Sequence, residues 1–274
     1  MSLPRTRFAP SPTGPLHRGH ALSALWAARR AKQLGGEFLI RIEDIDHTRA
    51  RDHWIEDIWH VMHFLGLESA EHLPLQSQRL PAYASALQRL KDLGLVYPCT
   101  CTRAQILAAQ PDSSLPYPGT CRGKGLYGEA KGEASWRLNL ACAFEHIGER
   151  QVTWQDMSAG EQHSDFSQWG DVVLARRDIG TSYHLAHVID DADQGISHVT
   201  RGMDLFDQTP IHVLVQQLLG LPQPIYDHHP LIYDRPGQKL SKRNGATSLM
   251  SAVREGLTLE ALLGEMREYL RQMG

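Results

Sequence analysis

The sequence predicts an α/β fold built on a mainly parallel sheet and interrupted by an insert, and three observations carry that prediction. Short β-prone runs alternate with amphipathic stretches from Thr6 to Leu93, the pattern of strand-helix-strand units. The alternation resumes from Val172 to Leu219. Between them, Cys99 to about Gly170 shows little long-range periodicity and holds all four cysteines, Cys99, Cys101, Cys121 and Cys142. The expected organisation is residues 1–97 and 171–235 as two halves of one sheet domain, 98–170 as the insert, and 236–274 as a basic loop with a short helical tail.

In chain order, Thr6–Ala9 reads as a first strand. Ala21–Leu34 reads as a helix with Leu22, Leu25 and Trp26 at helical spacing, stopped by Gly35-Gly36. Glu37–Ile42 contains FLIRI, a strand running into the acidic cluster Glu43, Asp44 and Asp46. Trp54, Ile55, Ile58, Val61, Met62 and Leu65 recur at three- and four-residue steps, which predicts a helix over Arg51–Leu65. Pro81–Leu93 is the next helix, with proline in its first turn. Beyond the insert, Val172–Leu174, His187–Ile189 and His198–Thr200 are β-prone, and Thr209–Leu219 is a helix closed by Gly220 and Pro222. On this pattern Asp190-Asp191 is a strand-end turn, and His60, His63, His184 and His187 are surface or packing residues.

A chain of 274 residues, 42% hydrophobic and 22% charged, can bury a core of its own. No stretch approaches the ~18 apolar residues of a membrane span. The N-terminus MSLPRTRFAPS lacks the apolar centre of an export signal, so a cytoplasmic enzyme is the default expectation. A net charge of −3 without a polybasic block argues against coating nucleic acid by bulk charge. Arg29, Arg30, Arg49, Arg51, Arg176 and Arg177 remain candidates for local RNA contact.

Two stretches carry chemistry. The first, APSPTGPLHRGH from Ala9, sets His17 and His20 on either side of Gly19 at the threshold of a helix. Free N–H groups and the positive dipole end there suit a phosphate. Pro10, Pro12 and Pro15 stiffen the approach. The second, KLSKR at Lys239–Arg243, lies between Pro236-Gly237 and Asn244-Gly245, and mobile cations of this kind suit a charge that appears in a transition state. In the insert, Cys99, Cys101 and Cys121 form a soft donor set for zinc, although C-x-C is a less typical spacing than C-x-x-C, and Cys142 otherwise reads as a buried, inert thiol. Cys142 and His146 are possible further ligands.

His17-Arg18-Gly19-His20 and Lys239-Leu240-Ser241-Lys242-Arg243 resemble the two signatures of class I aminoacyl-tRNA synthetases. RFAPSPTGPLHRGH from Arg7, RIEDID from Arg41 and HVTRGMD from His198 narrow the resemblance to the glutamyl subgroup. The resemblance implies a class I Rossmann-type parallel sheet split by a zinc-binding insert, with a short helical C-terminal part. It also implies a glutamate pocket lined by Arg7, Ala9, Ser11, Glu43, Tyr183 and Arg201. ATP with Mg2+ would lie against His17, Gly19, His20, Lys239, Ser241 and Lys242, with His17, His20 and Lys242 catalytic. Some relatives hold zinc through three cysteines and a tyrosine, which maps onto Cys99, Cys101, Tyr117 and Cys121.

Only 31 residues follow Arg243, whereas a full glutamyl-tRNA synthetase continues into an anticodon-reading domain. The pattern therefore resembles the glutamyl-queuosine tRNA(Asp) synthetases, which activate glutamate without tRNA and attach it to queuosine in the anticodon stem-loop. The alternatives are a catalytic fragment acting on a tRNA 3′ end and a non-catalytic regulatory paralogue. A monomer is expected.

Overall fold

The computed structural model describes residues 3–110, 112, 116–124, 134–164, 166, 169–235, 238–239 and 248–273. Leu240, Ser241, Lys242 and Arg243 of the basic loop lie outside them. The first half runs β1 (Arg5–Phe8), α1 (Arg18–Gln33), β2 (Glu37–Ile40), α2 (Asp52–Phe64) and α3 (Leu80–Asp92). Next come β3 (Val96–Cys99), α4 (Arg103–Ala109), β4 (Ser135–Leu138), α5 (Leu140–Ile147), β5 (Val152–Asp156), β6 (Gly160–Ser164) and β7 (Val173–Ala175). The chain ends with α6 (Tyr183–Asp193), β8 (His198–Gly202), α7 (Thr209–Leu219), β9 (Ile225–His229), β10 (Tyr233–Arg235), β11 (Gln238–Lys239), α8 (Leu249–Arg254) and α9 (Leu259–Met273).

The main sheet is mostly parallel, as expected, with one antiparallel strand at its edge. Parallel pairs join β1 to β2, β8 to β9, and β5 to β9, while β6 adds antiparallel to β5. β8 lies beside β1, where Ser197 N–H donates to Arg5 C=O at 3.1 Å. A second sheet, β3-β4-β7, is antiparallel throughout. Thus segments read as an aperiodic insert pair with strands on both sides of it.

Strand alternation puts two different cores on the two faces of β1 and β2. Phe8, Phe38 and Ile40 pack with α1 and α2, and Leu249, Leu262 and Met266 of the tail join that cluster. Leu39 faces the other way, into a core with Tyr83, Leu185, Leu214 and Trp154. Arg7 and Arg41 share this second face, so two guanidiniums are buried against α6. The buried face of α1 is largely alanine, which lets Thr6 Oγ1 donate to Ala27 C=O at 2.8 Å.

Two expectations are corrected here. His187–Ile189 is not a strand but the middle of α6, and Asp190-Asp191 is buried within that helix rather than in a turn. Also, α1 begins at Arg18, so Arg18, Gly19 and His20 form its first turn and His17 is its N-cap, three residues earlier than the expected start at Ala21. Among the described residues no helix is long and apolar enough to cross a membrane.

Candidate active site

A cavity of about 550 Å3 opens at the C-terminal ends of β1 and β8, the place where open α/β sheets bind ligands. Nine of the residues singled out from the sequence line it: Arg7, Ala9, Ser11, His17, Gly19, His20, Glu43, Tyr183 and Arg201. Lys239 lies on β11, opposite Tyr233. Ser241 and Lys242 lie outside the described residues.

His17 is the N-cap of α1 and closes a reciprocal box. Its Nδ1 accepts from Gly19 N–H at 3.1 Å, and His20 Nδ1 accepts from His17 N–H at 3.0 Å. Because both Nδ1 atoms accept backbone protons, each neutral ring carries its proton on Nε2 and presents a donor there. The rings stand 3.9 Å apart between centroids. A Cβ on Gly19 would meet His17 Cε1 at 2.9 Å, so the ring that needs bare backbone is His17 itself. The tail supports this turn from behind: Leu249 N–H donates to Leu16 C=O at 2.8 Å, and Arg18 pairs with Glu265 at 2.7 Å.

The two arginines differ in how their charge is met. Arg7 forms a two-pronged pair with Asp191 at 2.9 and 3.1 Å and donates to Thr200 C=O. Arg201, 5% exposed, is held at 2.6–3.0 Å by Thr209 Oγ1, His212 Nδ1 and His228 Nε2. Both imidazoles are neutral. Burial, then His187 and Arg201, pushes His212 well below the usual histidine range, and burial with Arg201 lowers His228 to about 4. Among the described residues no carboxylate forms an ion pair with Arg201. Asp156 lies one ring behind, 2.6 Å from His228 Nδ1. A buried cation matched only by neutral groups attracts an anion strongly.

Glu43 provides the opposite charge. Burial raises its carboxyl pKa, but His187, Arg41 and Arg7 outweigh that and hold it below the ordinary range. Arg41 donates to Glu43 Oε1 at 3.1 Å and to Asp191 at 2.6 Å. Asp190 accepts from Gln76, Arg79 and Tyr83, so α6 is bolted to the elements before it. Sequence reasoning missed Arg41, Asp156, His187, Asp191, His212 and His228. His184, His187 and Asp191 fall at helical spacing, a signal that becomes visible once α6 is recognised as a helix.

At the end of β3, Cys99 comes together with Cys101 and Cys121 from the neighbouring loops, their Sγ atoms within 4.8 Å of one another. Tyr117 Oη lies 3.3 Å from Cys99 Sγ and 3.8 Å from Cys101 Sγ. Three soft donors and a phenol fit a tetrahedral zinc set. Cys142 packs instead on the main core. Asp171 binds the cluster to the fold by accepting from Tyr97 and Arg122, and Gly170 leaves room for the Tyr117 backbone.

Residues 4–274 match the family described as tRNA synthetases class I (E and Q), catalytic domain. The chain belongs to the class I aminoacyl-tRNA synthetases. As a member of that family it is a ligase. It is 47% identical to the Glutamyl-Q tRNA(Asp) synthetase of Rhodobacter capsulatus, over 92% of this chain and 95% of the relative. It is 43% identical to the protein of that name from Burkholderia cenocepacia, over 89% of this chain and 82% of the relative. Among solved structures, a glutamate tRNA ligase from Elizabethkingia meningosepticum, in complex with its amino acid, superposes with a TM-score of 0.74 at 27% identity. That superposition covers 89% of this chain but 53% of the ligase, so this synthetase spans about half the length of that structure.

Proposed function

We propose that this synthetase joins L-glutamate to ATP as glutamyl adenylate without tRNA, then passes the glutamate to the queuosine base in the anticodon of tRNA(Asp). Glutamate carries two carboxylates and one ammonium. Arg201, buried with neutral partners, takes the side-chain carboxylate, and this is the observation that carries the reading. Glu43 takes the ammonium, while Arg7, Ala9, Ser11 and Tyr183 complete the wall. ATP lies along the first turn of α1, against Gly19 and the Nε2–H donors of His17 and His20. Lys239, Ser241 and Lys242 close on its phosphates, and Mg2+ accompanies the nucleotide.

The glutamate α-carboxylate attacks the α-phosphorus in line. An acyl–phosphate bond forms, the bond to the β-phosphate oxygen breaks, and pyrophosphate leaves with the electron pair. The protein supplies alignment and charge stabilisation rather than a nucleophile. Zinc held by Cys99, Cys101, Tyr117 and Cys121 would supply structure only, fastening the insert. The queuosine acceptor rests on the name carried by the relatives at 43–47% identity.

Glutamate-dependent ATP–pyrophosphate exchange, run with no tRNA present, tests the activation step. Exchange with glutamate and none with glutamine is the expected result. No exchange with either amino acid would remove the proposal.

A further inference from the structure

We propose that α9 sets the width of the nucleotide half of the cavity, and that Tyr269 is a positioning residue holding one wall of that half against the other. The inference deepens the reading above, that ATP lies along the first turn of α1, and rests on it.

Two walls bound that half. One is the first turn of α1, with its N-cap His17. The other is the segment His229–Ile232 after β9, and all four of its residues line the cavity. Ser23 of α1 meets His229 Nε2 at 2.9 Å, so this segment runs beside the helix against which the phosphates lie. Leu231 is seated on bare backbone at the end of β8, where a Cβ on Gly202 would meet its Cδ2 at 2.8 Å. Two residues further on the chain enters β10, which pairs with β11 and so places Lys239. A shift of Leu231 is therefore passed on to the hairpin that carries this cation.

α9 touches both walls from consecutive turns of one face. Glu265 pairs with Arg18 in the first turn of α1 at 2.7 Å, and Tyr269 Oη donates to Leu231 C=O at 2.6 Å. Residues four apart on a helix stand one above the other, about 6 Å apart along the axis. The separation of the two contacts is thus set by helix geometry rather than by flexible chain. Beside them, Leu262 and Met266 are buried in the cluster that also holds Leu16 and receives Ile232. The helix cannot slide without opening that cluster.

The two contacts differ in strength. The Arg18–Glu265 pair is 32% and 48% exposed, and solvent screens it. The Tyr269 bond is half-buried and short. Because a peptide unit is planar, holding the Leu231 carbonyl also fixes the direction of the Ile232 N–H, a polar group on a cavity-lining residue. Arg201 and Glu43 are held from α6, α7, β9 and Arg41 instead. Loss of the brace should therefore be felt by the nucleotide and not by the amino acid.

Tyr269→Phe removes the hydroxyl and keeps the ring. Glu265→Arg sets like charges at the other contact, and Arg267→Ala, on the exposed side of the same helix, is the control. Pyrophosphate exchange with each substrate varied gives separate KM values for ATP and glutamate, and melting temperatures are recorded on the same samples. In Tyr269→Phe the ATP KM is expected to rise about three- to tenfold with the glutamate KM within about twofold of wild type. Glu265→Arg is expected to move the ATP constant in the same direction, and Arg267→Ala neither constant. An unchanged ATP KM in Tyr269→Phe, with or without a lower melting temperature, overturns the assignment and leaves α9 a structural helix only. A parallel rise in both constants, or an equal rise in the control, also overturns it. A wild-type protein without exchange overturns instead the activation reading beneath it.

Discussion

Arg201 shows how a side chain can be buried and still be available. Three neutral acceptors fix its planar fork, and a lysine ammonium cannot reproduce that geometry. Arg201→Lys is therefore expected to raise the glutamate KM in pyrophosphate exchange by about 10- to 100-fold, with the ATP KM unchanged. Equal rises in both constants would contradict the assignment. Gly19 makes a second residue-scale case. An alanine Cβ there meets His17 Cε1 at 2.9 Å, so Gly19→Ala is expected to turn the His17 ring and lower kcat about tenfold, while thermal stability holds because alanine favours the helix. A variant with full kcat would show that the ring position is immaterial.

At the scale of elements, legibility depended on whether one face of a segment meets water. α2 and α3 are amphipathic, and their periodicity gave both within a residue or so. α6 is buried along most of its length, so its apolar and charged residues lost the periodic contrast, and a β-prone triplet dominated the reading. Its Asp190 and Asp191 are buried where arginines from β1, from just after β2 and from the segment before α3 reach them, a fact that only tertiary structure supplies. The lining of the cavity was legible for a different reason: its residues cluster in local motifs at strand ends and at the start of α1. The partners behind Arg201 come from α7 and β9, distant in sequence, and no local pattern points to them. The cysteine cluster makes its own prediction. Zinc content and melting temperature should both drop in Cys121→Ser and hold in Cys142→Ser, because Cys142 packs on the core away from the thiol cluster. Equal metal content in the two variants would exclude the proposed set.

For the whole molecule, buried histidines set the response to acid. Burial, with His187 and Arg201 nearby, lowers His184 to about 4, and burial with Arg201 does the same to His228. Unfolded, each ring titrates near 6.5. As pH falls from about 6.5 to about 4 the unfolded chain binds protons that the folded chain refuses, so stability is full above that window and declines through it. The loss is on the order of 3 kcal/mol for each ring. Urea midpoints should therefore be clearly lower at pH 5 than at pH 7, and equal midpoints would contradict the neutral-imidazole account of Arg201.

Activation and acceptor choice meet in one assay, the transfer of labelled glutamate to tRNA(Asp) carrying queuosine, with and without prior periodate cleavage of the diol on that base. The account predicts label bound to untreated tRNA and lost after periodate treatment. Label that instead appears on tRNA lacking queuosine, at an intact 3′ end, would contradict it.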